Sequence, residues 1–146
     1  MERALRVALG VVATVGLGVS GYLVAVRFQG QTLTCVVGGD CAIVQESAYA
    51  EVLGVPVALL GLAAYAGLLG AAVLPGAPGR SLGLFVGIVG AGFSVWLTWV
   101  ELAIIDAICP WCVVSAALTL LALGLAAMRV VVTSPPAVEP YGSGER

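Results

Sequence analysis

Four long stretches of this chain leave a backbone nowhere to go but into helices. Val7 to Val26 carries no charged side chain, and about 20 such residues span roughly 30 Å of hydrocarbon. Similar runs cover Pro56 to Leu74, Ser81 to Val100 and Cys109 to about Val132, the last ending near Arg129. Inside a bilayer every N–H and C=O must be satisfied within the protein, so a spanning segment of this kind is helical. The expected fold is an all-α membrane protein, a four-transmembrane-helix bundle over residues 1–132. Composition agrees, with 61% of the 146 residues hydrophobic, 10% charged and no histidine. That balance argues against a sizeable soluble domain and against nucleic acid as a partner. It also removes the usual shuttle base and the usual metal ligand.

Arg3 and Arg6 would suit the head of a secretory signal, but the apolar run behind them exceeds a signal core of about 7 to 15 residues. No small-residue cleavage site closes it, so the first run reads as a retained span. Residues 27–54 are polar and turn-forming and make an extramembrane loop, within which Ala42 to Val52 is expected to form a short interfacial helix. Pro75 to Arg80 reads as a tight connection of turn residues. Gly83 and Gly87 mark a small-residue face for helix packing. Residues 133–146 read as a disordered tail.

Four spans put both termini on one side. Arg3, Arg6, Arg80, Arg129 and Arg146 belong to that side and Arg27 to the other, which places the termini in the cytoplasm. The expected location is the cell membrane, with Cys35, Cys41, Cys109 and Cys112 on an outer face that permits disulfides.

Cys109-Pro110-Trp111-Cys112 opens the fourth span. Proline suits a first helical position, because its missing N–H has no intrahelical partner there. Cys109 then sits at the positive end of the helix, which favours its thiolate. Cys112 lies on the same face, about 4.5 Å deeper along the axis. Three readings compete for the four cysteines. In the first they brace loops as structural disulfides, and in the second they share a zinc ion, although Cys35-x5-Cys41 is wider than the usual spacer. In the third, favoured by cysteine count and compartment, a loop pair eased by Gly38 and Gly39 exchanges disulfides with the pair at the bundle mouth. Glu101 and Asp106 are candidates for proton relay, with solvation at the end of a span the plainer reading. Trp96, Trp99 and Trp111 suit either a ligand ring or the interfacial aromatic belt, and Tyr22 suits the belt. Arg27 reads as a headgroup anchor.

Cys35-x5-Cys41, Ser47 six residues on, Gly54-Val-Pro56 with Gly61 and Tyr65, and Glu101 ahead of Cys109-Pro-Trp-Cys112 together resemble the vitamin K epoxide reductase family in its bacterial form, over about residues 7 to 132. The resemblance implies a bundle around a quinone pocket, with a quinone of ubiquinone or menaquinone type as electron-accepting substrate and no metal. It implies that Cys112 delivers electrons to quinone, that Cys109 exchanges with Cys41, and that Cys35 meets a thioredoxin-like (DsbA-like) partner. Ser47, Trp111 and Tyr65 are its pocket or assisting residues. Many bacterial relatives carry a fused thioredoxin-like domain; none stands in this sequence, so a separate periplasmic or extracellular protein is expected. The animal enzymes carry a Tyr where this chain has Ala116, and an Asn in the second span without a counterpart here, so apolar packing of a respiratory quinone is expected rather than epoxide reduction. The quinone-coupled disulfide oxidase of the DsbB type performs similar chemistry with the two pairs in reverse order. Outside enzymology, the alternative is a small membrane subunit whose outer disulfides brace its loops.

Overall fold

The computed structural model of the protein describes residues 1–30 and 41–133. Its helices in chain order are α1 (Glu2–Phe28), the short α2 (Cys41–Glu46), α3 (Val57–Val73), α4 (Gly76–Val100) and α5 (Pro110–Thr133). A π-helical turn, Glu101–Ile105, extends α4. Three of these are long and apolar enough to cross a membrane: α1, α4 with its π turn, and α5. The fourth long run became α3, apolar but shorter.

Two local expectations change. The connection read across Pro75 to Arg80 shrinks to Leu74 and Pro75, and Gly76–Arg80 form the first turn of α4. Pro78 is no obstacle there, since the first amides of a helix have no intrahelical acceptor. Gly76 takes a φ of 75°, a left-handed value that a side chain would resist. The interfacial helix expected over Ala42 to Val52 is a single short helix, α2, followed by a 3₁₀ turn at Ala48–Ala50. The chain then enters a two-residue strand β1 (Glu51–Val52), paired antiparallel with β2 (Val55–Pro56). Leu53 and Gly54 at its tip both have positive φ, 55° and 81°, the conformation that matches the twist of a two-residue hairpin. Cys35 and the tail residues 134–146 lie outside the described residues.

The long helices pack as a closed ring, α1 on α3, α3 on α4, α4 on α5 and α5 on α1. Leu9, Val12 and Ala13 of α1 meet Tyr65, Leu68 and Ala72 of α3 and Ala122 of α5 in the core. Small residues set the helix spacing: Gly83 lies against Ala71 and Ala126, and Gly87 against Leu123. Val7, Val11, Val15, Phe85, Val89, Leu120 and Leu121 are exposed on the outside of the ring, the arrangement a lipid solvent rewards.

The end of the bundle that holds Met1 and Thr133 is closed by arginines. Arg6 Nε donates to the Ala72 carbonyl at 2.9 Å, and Arg129 Nη1 donates to the Ala71 carbonyl at 2.9 Å. These are carbonyls of the last turn of α3, which lack intrahelical partners. Glu2 stands 3.8 Å from Arg80 and 3.9 Å from Arg129. The opposite end is tied by Arg27, which donates to the Gln45 carbonyl at 2.7 Å and pairs with Glu51. Arg27 therefore holds α2 and the hairpin to the end of α1, a tether that the sequence did not convey.

Candidate functional site

α5 begins at Pro110, and Cys109 stands immediately before it. The amides of Cys112 and Val113 both donate to the Cys109 carbonyl at 3.0 Å, so the first turn is anchored on the cysteine itself. Cys109 is fully buried, in one cluster with Cys41, Val44 and Ala107, against which Ile105, Trp111 and Cys112 pack. Cys41, at the start of α2, is 1% exposed and is disulfide-bonded. Cys109 and Cys112 are free thiols. The structure thus sets a disulfide sulfur from the loop beside the outer member of a reduced pair.

The Cys109 sulfur is held below the usual thiol range. The main cause is the Cys112 thiol, which donates to it; the amides of Cys112 and Trp111 add to this, while burial and the Glu101 charge oppose. Ionisation is favoured at the helix start, as the placement of Pro110 implies.

Cys112 packs on the same cluster and also borders a second environment. It lines an internal cavity of about 450 Å³ together with Ser20 and Leu23 of α1, Gly61 and Tyr65 of α3, Phe93 and Leu97 of α4, and Ser115 of α5. That volume suits a small organic ligand, and its walls are mainly apolar. Phe85 and Val89 belong both to the wall and to the exposed outside of the ring, so the cavity reaches the lipid-facing surface between α3 and α4.

The other expected residues divide. Ser47 lines the cavity, and its hydroxyl donates to the Val44 carbonyl at 2.7 Å, closing the end of α2. Tyr65 also lines the cavity, but its hydroxyl is engaged by α5, 2.7 Å from the Ser115 carbonyl and 3.0 Å from Thr119 Oγ1. Trp111 is not part of the cavity wall; its ring stacks on Tyr22 at 5.3 Å between centroids and packs on the cysteine cluster. Tyr49 and Trp96 pair across the mouth at 6.4 Å, and Trp99 faces outward. Asp106 adopts a left-handed conformation that ends the π turn. No group of three or more His, Cys, Asp or Glu able to hold a metal ion occurs among the described residues.

Glu101 is the residue whose position the sequence did not convey. It is 5% exposed, lines the cavity together with Cys112 and accepts the Cys109 amide at 3.3 Å on Oε2. Its signal was its place as the first ionisable side chain after Arg80, at the end of an apolar span.

Apolar helices closed around a cavity, with the Cys112 thiol in its wall, define the class: a helical bundle of the membrane-spanning kind. The profile of the vitamin K epoxide reductase family matches residues 7–127, and the chain belongs to that family. It is accordingly a membrane oxidoreductase.

Proposed function

We propose that the protein passes electron pairs from a dithiol of a separate thioredoxin-like protein to a quinone held in the cavity, and so sustains disulfide formation in exported proteins. One observation carries the reading. Of the two free thiols among the described residues, Cys109 shares a buried cluster with disulfide-bonded Cys41 while Cys112 lines the cavity, which supports a pair with one member toward each end of an electron path. A reduced partner attacks the Cys35–Cys41 disulfide and leaves as a disulfide. The released Cys41 thiolate then attacks an oxidised Cys109–Cys112 pair at Cys109 through a mixed disulfide. Cys35 resolves it, which restores the outer disulfide and leaves the inner dithiol reduced. Oxidation of that dithiol gives its two electrons to quinone, which takes up two protons and leaves as quinol.

The state with Cys41 oxidised and Cys109 and Cys112 reduced is the one that precedes quinone reduction. The apolar wall suits a respiratory quinone of ubiquinone or menaquinone type, its tail lying toward Phe85 and Val89. With the arginine-rich end in the cytoplasm, the exchanging cysteines face the outer compartment. The test is quinone reduction by membrane-reconstituted protein given a reduced thioredoxin-like protein. Wild type turns over, Cys112→Ala and Cys35→Ala do not, and Cys35→Ala recovers with a small dithiol that reaches the inner pair. Absence of thiol-dependent quinone reduction in wild type would leave the cysteines as loop braces.

A further inference from the structure

The end of α4 does not continue as an α-helix. It loosens into the π turn Glu101–Ile105, reverses at left-handed Asp106, and folds back so that the Ala107 amide donates to the Glu101 carbonyl at 3.2 Å. Insertions of this kind in helices recur at functional sites. Here the fold-back brings the Cys109 amide onto the Glu101 carboxylate and seals that carboxylate from water. A buried carboxylate is retained only where polar groups satisfy it, and Glu101 accepts the Cys109 backbone amide while the Cys112 thiol stands in the same cavity wall. The Cys112 thiol stands between the cluster that holds Cys109 and the cavity wall that holds the Glu101 carboxylate. Glu101 also lines the cavity alongside Cys112. The carboxylate thus shares one cavity wall with the sulfur that must lose a proton and borders the space where a proton must arrive.

Resting on the quinone reading above, we infer that Glu101 is the catalytic base and proton carrier of the quinone step, taking the Cys112 proton and handing it to a quinone oxygen. The balance is complete. The Cys109 Sγ–Cys112 Sγ bond forms and the Cys112 S–H bond breaks. Two electrons pass from the sulfurs to the quinone, and one proton reaches it through Glu101. The second proton comes from the Cys109 thiol or, where that sulfur is already ionised, from water at the mouth. Other ionisable groups at this site are Tyr49 and Tyr65 in the cavity wall and Asp106 at the end of the π turn. Cys41 is held in its disulfide.

The test uses full-length protein in lipid vesicles, reduced beforehand and mixed with a short-chain ubiquinone analogue in a single turnover. Glu101→Gln slows quinol formation by about 10²-fold or more at neutral pH, the loss typical of a removed general base. The deficit narrows as pH rises, because hydroxide then ionises Cys112 without help, and reduction of the cysteines by the partner protein stays within a few-fold of wild type. Glu101→Asp, which keeps the acid one methylene away, retains more of the rate than Gln. A Gln variant within about threefold of wild type, a deficit of equal size at every pH, or Asp no faster than Gln would each overturn this role. The two readings separate cleanly: wild type turning over with Glu101→Gln unimpaired removes the proton carrier alone, whereas a wild type that reduces no quinone removes both.

Discussion

The Tyr65 ring lies on bare backbone at Gly16: a Cβ built on that glycine would stand 2.2 Å from Tyr65 Cε1. Both residues are buried, and the ring is pinned beyond the glycine by its hydroxyl bonds to α5. Gly16→Ala therefore forces the ring off those bonds or pushes α1 from α3. The expected loss is about 1 to 3 kcal/mol of stability, read as a lower unfolding midpoint in detergent, with a smaller loss in the double variant Gly16→Ala, Tyr65→Leu. A single variant as stable as wild type would show that the α1–α3 contact is slack.

Cys109 yields a pH dependence with a definite sign. Its thiol ionises more readily folded than unfolded, so it adds stability as pH climbs from its native pKa toward the unfolded value near about 8.5, and that stability is lost as pH falls through the native pKa. Cys112→Ala removes the donor first responsible. In that variant the ultraviolet thiolate absorbance of Cys109 develops at higher pH than in wild type. An unmoved titration would assign the effect to the helix amides alone.

Leu53 is 99% exposed and holds a φ of 55°. Left-handed backbone costs a residue with a Cβ about 1 to 2 kcal/mol. Leu53→Asn creates Asn-Gly, the pair preferred in such a turn, and should raise the unfolding midpoint. A fall instead would show that the leucine is covered when the protein is in its membrane, where it would contribute burial that outweighs the strain.

Arg129 is fully buried, and its Nε and Nη2 have no hydrogen-bond partner. Replacement by an unbranched apolar chain removes that cost, so Arg129→Met stays within about 1 kcal/mol of wild type. Arg129→Ala leaves a void and falls about 2 to 5 kcal/mol below the Met variant. Reversible unfolding in mixed micelles checks both. A large loss in the Met variant would show that the bond to the Ala71 carbonyl, with the Glu2 interaction, outweighs the cost of burying the guanidinium.

What could be read in the sequence was what depends on local pattern. Apolar runs locate helices because lipid permits little else, and Pro110 after Cys109 marks a helix start through its missing N–H. The order of Cys109 and Cys112 follows from helical rise. What escaped depends on chain reversal and distant partners. Glu101 resembles a solvated carboxylate until the π turn and Asp106 fold Cys109 back over it. Arg27 finds Gln45 and Glu51 only because α2 and the hairpin cross the end of α1. Pro75 to Arg80 has the composition of a turn, yet the first turn of a helix tolerates the same residues. Trp111 could have faced a ligand or a neighbour, and Tyr22 on the adjacent α1 decided it.

α3 has 17 residues, which at 1.5 Å each extend about 25 Å, less than the roughly 30 Å of an average hydrocarbon layer. Its neighbours run past it, and Arg6 and Arg129 reach back to its last carbonyls. Charge on that flank therefore sits deeper than elsewhere around the ring. If α3 spans with its neighbours, a leaflet meets it by thinning or by the flanking arginines reaching outward, a hydrophobic mismatch confined to one side. Bilayers of shorter acyl chains relieve that mismatch, and lengthening the chains loads it onto the flank where the cavity opens to lipid.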